Sequence, residues 1–281
     1  MSALAIVDFT KINTELLSVG EPKKGKGLSA QLMYDGQRAS FRLPKMSFPG
    51  GLLSRANEQS EVSHSLIGTL KGCPTDGTSR CEGTDPMARM YNTLQDVGTL
   101  LKKWAFENSA KLFGKKRSEE SINDSFNERS IMSISCDKVG NEYVPNGKYP
   151  PSFRAKVPVW DGKTSMEVVD QTNKNVKVEL ETLSSVFPKG VSANLLVTGS
   201  VYVAGQSFGI TWRISMAQVF PPNRLTASSV FEEVPEGDET SEFDNTASVT
   251  VEAQVELQAE PEGTTPSVPA QRKRRAAVNP A

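Results

Sequence analysis

The chain is poor in the residues from which most hydrolytic and metal sites are built. Its 281 residues contain a single histidine, His64, so chemistry that needs several imidazoles is excluded. Carboxylate or lysine chemistry stays open. Three cysteines, Cys73, Cys81 and Cys136, are too few for a disulfide framework in a chain this long, and a reducing compartment is expected. No run approaches the roughly 18 uninterrupted apolar residues of a membrane span. The opening MSALAIVDFTKINTE has no basic stretch, and Asp8 interrupts its short apolar run, so no secretory signal is expected. The 37% hydrophobic content is ordinary for a globular chain. The length suits one large domain or two small ones.

The net charge of −1 conceals three blocks. Residues 1–225 carry 28 Lys+Arg against 22 Asp+Glu, and residues 226–271 carry 11 acidic residues and no basic one. Arg272, Lys273, Arg274 and Arg275 then form a basic tip. A basic body points to a polyanionic partner such as nucleic acid, although an excess of +6 over 225 residues is also what solubility alone explains. Residues 226–281 hold no Trp or Tyr and only two Phe, Phe231 and Phe243. They cannot bury enough apolar surface to offset their ordering entropy, so a disordered acidic tail is expected. Within it, residues 248–258 alternate weakly and suit a transient strand.

The body, residues 1–225, reads mainly as β-structure. Leu28–Tyr34 and Gln37–Leu43 flank Asp35-Gly36, a two-residue hairpin signal. Val62–Leu70, Lys148–Trp160 and Lys174–Leu183 read as further strands. Leu195–Val203 and Ser207–Val219 flank a second turn, Ala204-Gly205-Gln206, and Pro221-Pro222 stops the last strand. One segment has a different period. Met90, Leu94, Val97, Leu101, Trp104 and Ala105 trace one face of a helix. Asp85-Pro86 suits its start and Gly114 its stop. A shorter helix follows, with Ser118 as N-cap and Ile122 and Phe126 on one face. The body is thus a β-domain with a helical insertion at about residues 85–127.

Several short motifs have plainer explanations than chemistry. Gly20 to Gly27 nearly spells a phosphate-binding loop, but Gly27 stands where magnesium binding needs a hydroxyl, and a strand follows where a helix is needed. A solvated basic loop is the simpler reading. Cys73 and Cys81 are too widely spaced for a zinc pair and read as loop cysteines. His64 alternates with Val62 and Leu66 and reads as core-facing. Glu119-Glu120 suits the first turn of a helix, and Glu232-Glu233 falls in the tail.

The strand faces are more informative. In Phe153–Trp160 the apolar positions Phe153, Ala155, Val157 and Val159 alternate with Arg154, Lys156, Pro158 and Trp160. In Ser207–Val219 the residues Phe208, Ile210, Trp212, Ile214 and Met216 read as the apolar face, opposite Thr211, Arg213 and Ser215. Tyr202 shares the more polar face of its strand with Thr198 and Ser200, and Arg38 and Arg42 oppose Phe41 and Leu43. A sheet face of cations and a few aromatics is what an unstacked nucleic-acid strand needs: cations neutralise phosphate, and flat rings stack on any base. Each strand taken alone is also an ordinary solvent face. The repetition over four strands favours binding.

In this pattern the chain resembles the phage-type single-stranded DNA-binding proteins of large eukaryotic (nucleocytoplasmic) DNA viruses. The resemblance lies in FRLPKMSFPGGL (Phe41–Leu52), WAFENSAKLFGKKRSEESI (Trp104–Ile122), GKYPPSFRAKVPVW (Gly147–Trp160) and LLVTGSVYVAGQSFGITWRISMAQV (Leu195–Val219). The resemblance implies an OB-fold-like antiparallel Greek-key barrel with the helix inserted. It implies non-sequence-specific, non-enzymatic binding of single-stranded DNA in replication or recombination. It also implies an acidic tail that docks replication proteins and competes with DNA for the groove. One departure is the basic ending QRKRRAAVNPA, where phage-type tails end acidic with an aromatic residue; its Arg272–Arg275 run matches the pattern of a nuclear import signal.

The expected phosphate contacts are Arg38, Arg42, Arg154, Lys156, Lys177 and Arg213, and the expected stacking residues are Trp160 and Tyr202. The expected partners are single-stranded DNA, replication proteins through the tail, and a second copy of the chain. No cofactor, metal or membrane is expected. The expected setting is the host nucleus or a cytoplasmic virus factory, with packaging in the virion as a further location. The competing reading is a virion structural or packaging protein that uses the β-domain for protein contacts.

Overall fold

The computed structural model describes residues 5–25, 27–56, 62–140 and 142–222. The tail, its weak strand at 248–258, the Glu232-Glu233 pair and Lys26 of the basic loop lie outside the described residues. The first half of the body supplies β1 (Ala5–Asp8), β2 (Leu17–Val19), β3 (Lys23–Lys24), β4 (Leu28–Tyr34), β5 (Gln37–Arg42), β6 (Met46–Phe48), β7 (Leu52–Ala56) and β8 (Val62–Thr69). The insertion follows as α1 (Pro86–Glu107), α2 (Ser109–Phe113) and α3 (Glu119–Ser125). The remainder is β9 (Cys136–Val139), β10 (Glu142–Pro145), β11 (Ser152–Val157), β12 (Val159–Trp160), β13 (Lys163–Thr164), β14 (Glu167–Val169), β15 (Asn175–Val176), α4 (Leu183–Val186), β16 (Val191–Ala204) and β17 (Ser207–Phe220).

The fold is mainly β with one long inserted helix, as the hydrophobic periodicities require. The main sheet runs in the order β1-β5-β4-β16-β17-β11-β8-β7. The 14-residue β16 is its hub, pairing with β17 on one side and with β4, β5 and β6 in succession on the other. The sheet curls back on itself. Gly68 of β8 faces Met46 and Phe48 of β6, which is hydrogen-bonded to the distant β16; a Cβ at Gly68 would lie 2.8 Å from the Met46 methyl. Phe9, Phe41, Phe153 and Trp212 meet inside, each ring of the first three 5.6–6.3 Å from the indole. All four are at most 1% exposed.

In α1, Met90, Leu94, Val97, Leu101 and Ala105 are fully buried, and the stripe covers the sheet's core. Asp85 caps its start by accepting from the Met87 and Ala88 amides, and Gly114 ends α2 with a φ of 77°.

Three sequence expectations are corrected. The sheet is mixed, not purely antiparallel: β1–β5, β11–β17 and β14–β17 run parallel. Each of these pairs joins strands that are distant in sequence, so no hairpin turn imposes the antiparallel sense. Lys174–Leu183 is not a strand. Only Asn175–Val176 pairs, with β14, and Leu183 opens α4; alternation along a segment does not supply a partner strand. Met216 leaves the apolar face and is 45% exposed. Val197 pairs with Ile214 but Leu196 with Met216, which leaves Ser215 as an extra residue. Such a bulge reverses the facing of all residues beyond it. The Ser215 hydroxyl holds the bulge by donating to the Leu196 carbonyl at 3.0 Å.

Candidate nucleic-acid interface

The outward face of β7, β8, β11, β17 and β16 floors an open cleft of about 530 Å³. The register explains its chemistry. Lys156 stands across from Ser65 on one neighbour and Arg213 on the other, and Arg154 stands across from Ile67. Arg55 stands across from Ser63, and Thr211 across from Ser200. Cations and hydroxyls therefore occupy the positions whose neighbours along each strand point inward, Phe153, Ala155 and Val157 among them.

Four cations line the cleft, Arg55, Arg129, Arg154 and Lys156, together with Asn127, Tyr202 and a set of serine side chains, and among the described residues its lining holds no carboxylate. Burial, and then the nearby Arg55 guanidinium, pulls the pKa of Arg154 below its ordinary value. Both causes disfavour the charged guanidinium, and a bound phosphate would favour it.

The end of the insertion closes one side of the cleft. The Asn127 amide donates to the Phe208 carbonyl at 2.9 Å, and the Ile210 amide donates to Ser130 Oγ at 3.1 Å. This docking brings Arg129 to the rim. It also fixes Tyr202, whose hydroxyl accepts from Asn127 Nδ2 at 2.9 Å. Gly209, directly across from Tyr202, makes the close approach feasible: a Cβ there would lie 2.7 Å from Ser130 Oγ and 2.8 Å from the Tyr202 hydroxyl.

Arg154, Lys156 and Tyr202 thus come together, with Arg213 in the adjoining row. The other predicted residues are placed elsewhere. Arg38 and Arg42 lie on β5, with β4, β16 and β17 between it and β11 in the sheet order. Arg42 is paired with Asp8 at 3.1 Å. The Asp8 carboxyl lies below its usual pKa although its burial acts upward, because Thr10 and Arg42 hydrogen-bond its charged form. Lys177, in the segment that is not a strand, is paired with Glu179 at 2.7 Å. Trp160 is 73% exposed on the β12–β13 hairpin, beyond the end of β11.

Arg55, Asn127 and Arg129 escaped the sequence reading. Arg55 belongs to a strand too short to show a period, and Asn127 and Arg129 lie at a single 3-10 turn, Glu128–Ser130, after α3. Neither carries a local signal. The remaining motifs take structural roles. His64 is buried, with Nδ1 2.8 Å from Ser54 Oγ. Cys73 and Cys81 lie in the loop before α1 as free thiols. Among the described residues no group of three or more His, Cys, Asp or Glu is placed to hold a metal ion, and no helix is long and apolar enough to cross a membrane.

No protein-family model and no curated protein matches the chain. Solved structures of two phage proteins are similar to it. The single-stranded DNA-binding protein gp2.5 encoded by bacteriophage T7 is 12% identical, over 73% of this chain and 100% of that one, with a TM-score of 0.32. The single-stranded DNA-binding protein from bacteriophage Enc34, in complex with ssDNA, is 7% identical over 75% of this chain and 98% of that one, with a TM-score of 0.35.

Proposed function

We propose that the protein binds single-stranded DNA without sequence preference and catalyses no reaction. One observation carries the reading: an open cleft on the sheet lined by four cations, hydroxyls and a tyrosine, with no carboxylate among its described residues. Phosphates are neutralised along such a track while bases turn toward the ring and the polar side chains, and charge neutralisation and stacking are open to every base. A virion module built for protein contacts has no use for such a cationic sheet face. Replication or recombination of viral DNA is the process such binding serves, with the 226–271 acidic segment recruiting replication proteins. A second copy of the chain is the proposed self-partner. The host nucleus, a cytoplasmic virus factory and the virion are the proposed settings.

The deciding experiment is a gel shift of residues 1–225 with labelled oligo-dT and with duplex at two salt concentrations. Tighter binding to the single strand, falling steeply with salt, is the expected outcome. Equal affinity for duplex at matched salt sinks the proposal.

A further inference from the structure

Two small hairpins flank β11, and each presents one exposed aromatic ring directly across from a lysine. On β9–β10, Tyr143 stands opposite Lys138 and is 61% exposed. On β12–β13, Trp160 stands opposite Lys163 and is 73% exposed. Rings of this size are seldom left so open, and the repetition of ring against lysine at both ends of one strand is not required by packing.

Both hairpins are tied to the cleft. The stem of β9–β10 is anchored where β11 begins: the Ser133 amide donates to the Ser152 carbonyl at 2.8 Å, the Ser152 amide returns the bond at 3.0 Å, and the Asn146 amide donates to Ser135 at 3.0 Å. Arg129 of the cleft rim lies over the Tyr143 ring, 5.4 Å from its centre. The second hairpin continues from the far end of β11. It turns through Asp161 and Gly162, both with positive φ, which suits a tight two-residue hairpin. Arg154 and Lys156 lie between the two hairpins.

We infer that Tyr143 and Trp160 are terminal stacking platforms, so that a bound strand runs along β11 from one hairpin to the other across the cleft. This rests on the single-strand reading and assigns that site its path and reach. The chain from Ser152, where the β9–β10 stem is anchored, to Trp160 spans roughly 25–30 Å at about 3.3 Å per residue, before the reach of the hairpin that carries Tyr143 is added. That accommodates about eight stacked nucleotides at about 3.4 Å each, fewer when stretched, within the roughly 4–16 nucleotides of one such module. Each ring then holds a terminal base, and each cross-strand lysine holds the adjoining phosphate.

The test is an oligo-dT length series, from about 4 to about 16 nucleotides, with the wild-type chain, Tyr143→Ala, Trp160→Ala and the double variant. Both side chains are exposed, so the folds should be preserved, and circular dichroism checks this. The shortest oligonucleotides should bind all four proteins alike. At full length each single variant should lose about tenfold and the double about a hundredfold, and Trp160 emission should be quenched only by the longer strands. Full-length binding by both variants at wild-type strength, with Arg154→Ala still weakened at every length, overturns the two-platform path and leaves the cleft reading standing. A wild-type chain with no affinity for oligo-dT overturns both.

Discussion

At the scale of single residues, the two faces of one strand pair separate binding from stability. Tyr202 and Trp212 lie on neighbouring strands but on opposite faces. Tyr202→Ala should weaken binding to oligo-dT by about 1–3 kcal/mol, the worth of one stacked base, with little change in melting temperature. Trp212→Ala should instead lower stability by about 3–5 kcal/mol, as a large core truncation, and denaturant titration distinguishes the two. Gly209→Ala touches both properties. The new methyl must displace Ser130 or Tyr202, so about 1–3 kcal/mol of overpacking should be accompanied by a loss of affinity measured on the same samples. Cysteine reactivity offers a chemical check on burial. Burial, with Cys81 beside it, pushes the Cys73 thiol up to about 12, so at pH 8 it is almost wholly protonated. Iodoacetamide followed by peptide mass mapping should therefore label Cys73 last of the three.

The insertion is the element on which the cleft depends, and Arg117 is its main tie to the sheet. This side chain is 9% exposed. Its guanidinium stacks on Phe113 at 3.7 Å, donates to Ser125 Oγ at 2.8 Å and to the Gln206 carbonyl at 3.2 Å, and bonds the Gln206 side chain. The insertion is thereby fastened to the β16–β17 turn while Asn127 and Ser130 fasten it to β17. Arg117→Met keeps the packing volume but strands those acceptors. It should cost about 1–3 kcal/mol, seen as a lower melting temperature, and should loosen oligo-dT binding although Arg117 touches no part of the cleft lining. Unchanged affinity in a folded variant would separate the insertion's anchoring from the cleft's function.

For the molecule as a whole, the distribution of charge sets how binding responds to salt. Four cleft cations, each neutralising one phosphate on a single strand, contribute about −3 to the slope of log K against log salt, at roughly −0.7 per contact, and Lys138 and Lys163 of the two hairpins bring the total to about −4. Removing Arg154 or Lys156 should reduce the magnitude of that slope by about 0.7. Arg42→Ala should leave it unaltered, because that guanidinium already pairs with Asp8 and stands away from the cleft. Fluorescence titrations of residues 1–225 at four salt concentrations suffice to measure all three.

The mainly β class, the long inserted helix with its caps and the face separating Trp212 from Arg213 were legible in the sequence, because each is a matter of local period or local turn chemistry. Arg154, Lys156 and Tyr202 were legible for the same reason: alternation alone puts them outside. Tertiary structure decided which outward cations share a site. Arg154 and Arg42 look alike in sequence, yet one lies near Arg55 on the floor of a cleft and the other is paired with Asp8, because strand order is set by long-range pairing and not by any local pattern. The bulge at Ser215 and the missing partner for Lys174–Leu183 arise the same way, since register and partnership belong to two strands at once. Arg55, Arg129 and Tyr143 gain their places only when the insertion docks and the sheet curls, which no stretch of the chain encodes by itself.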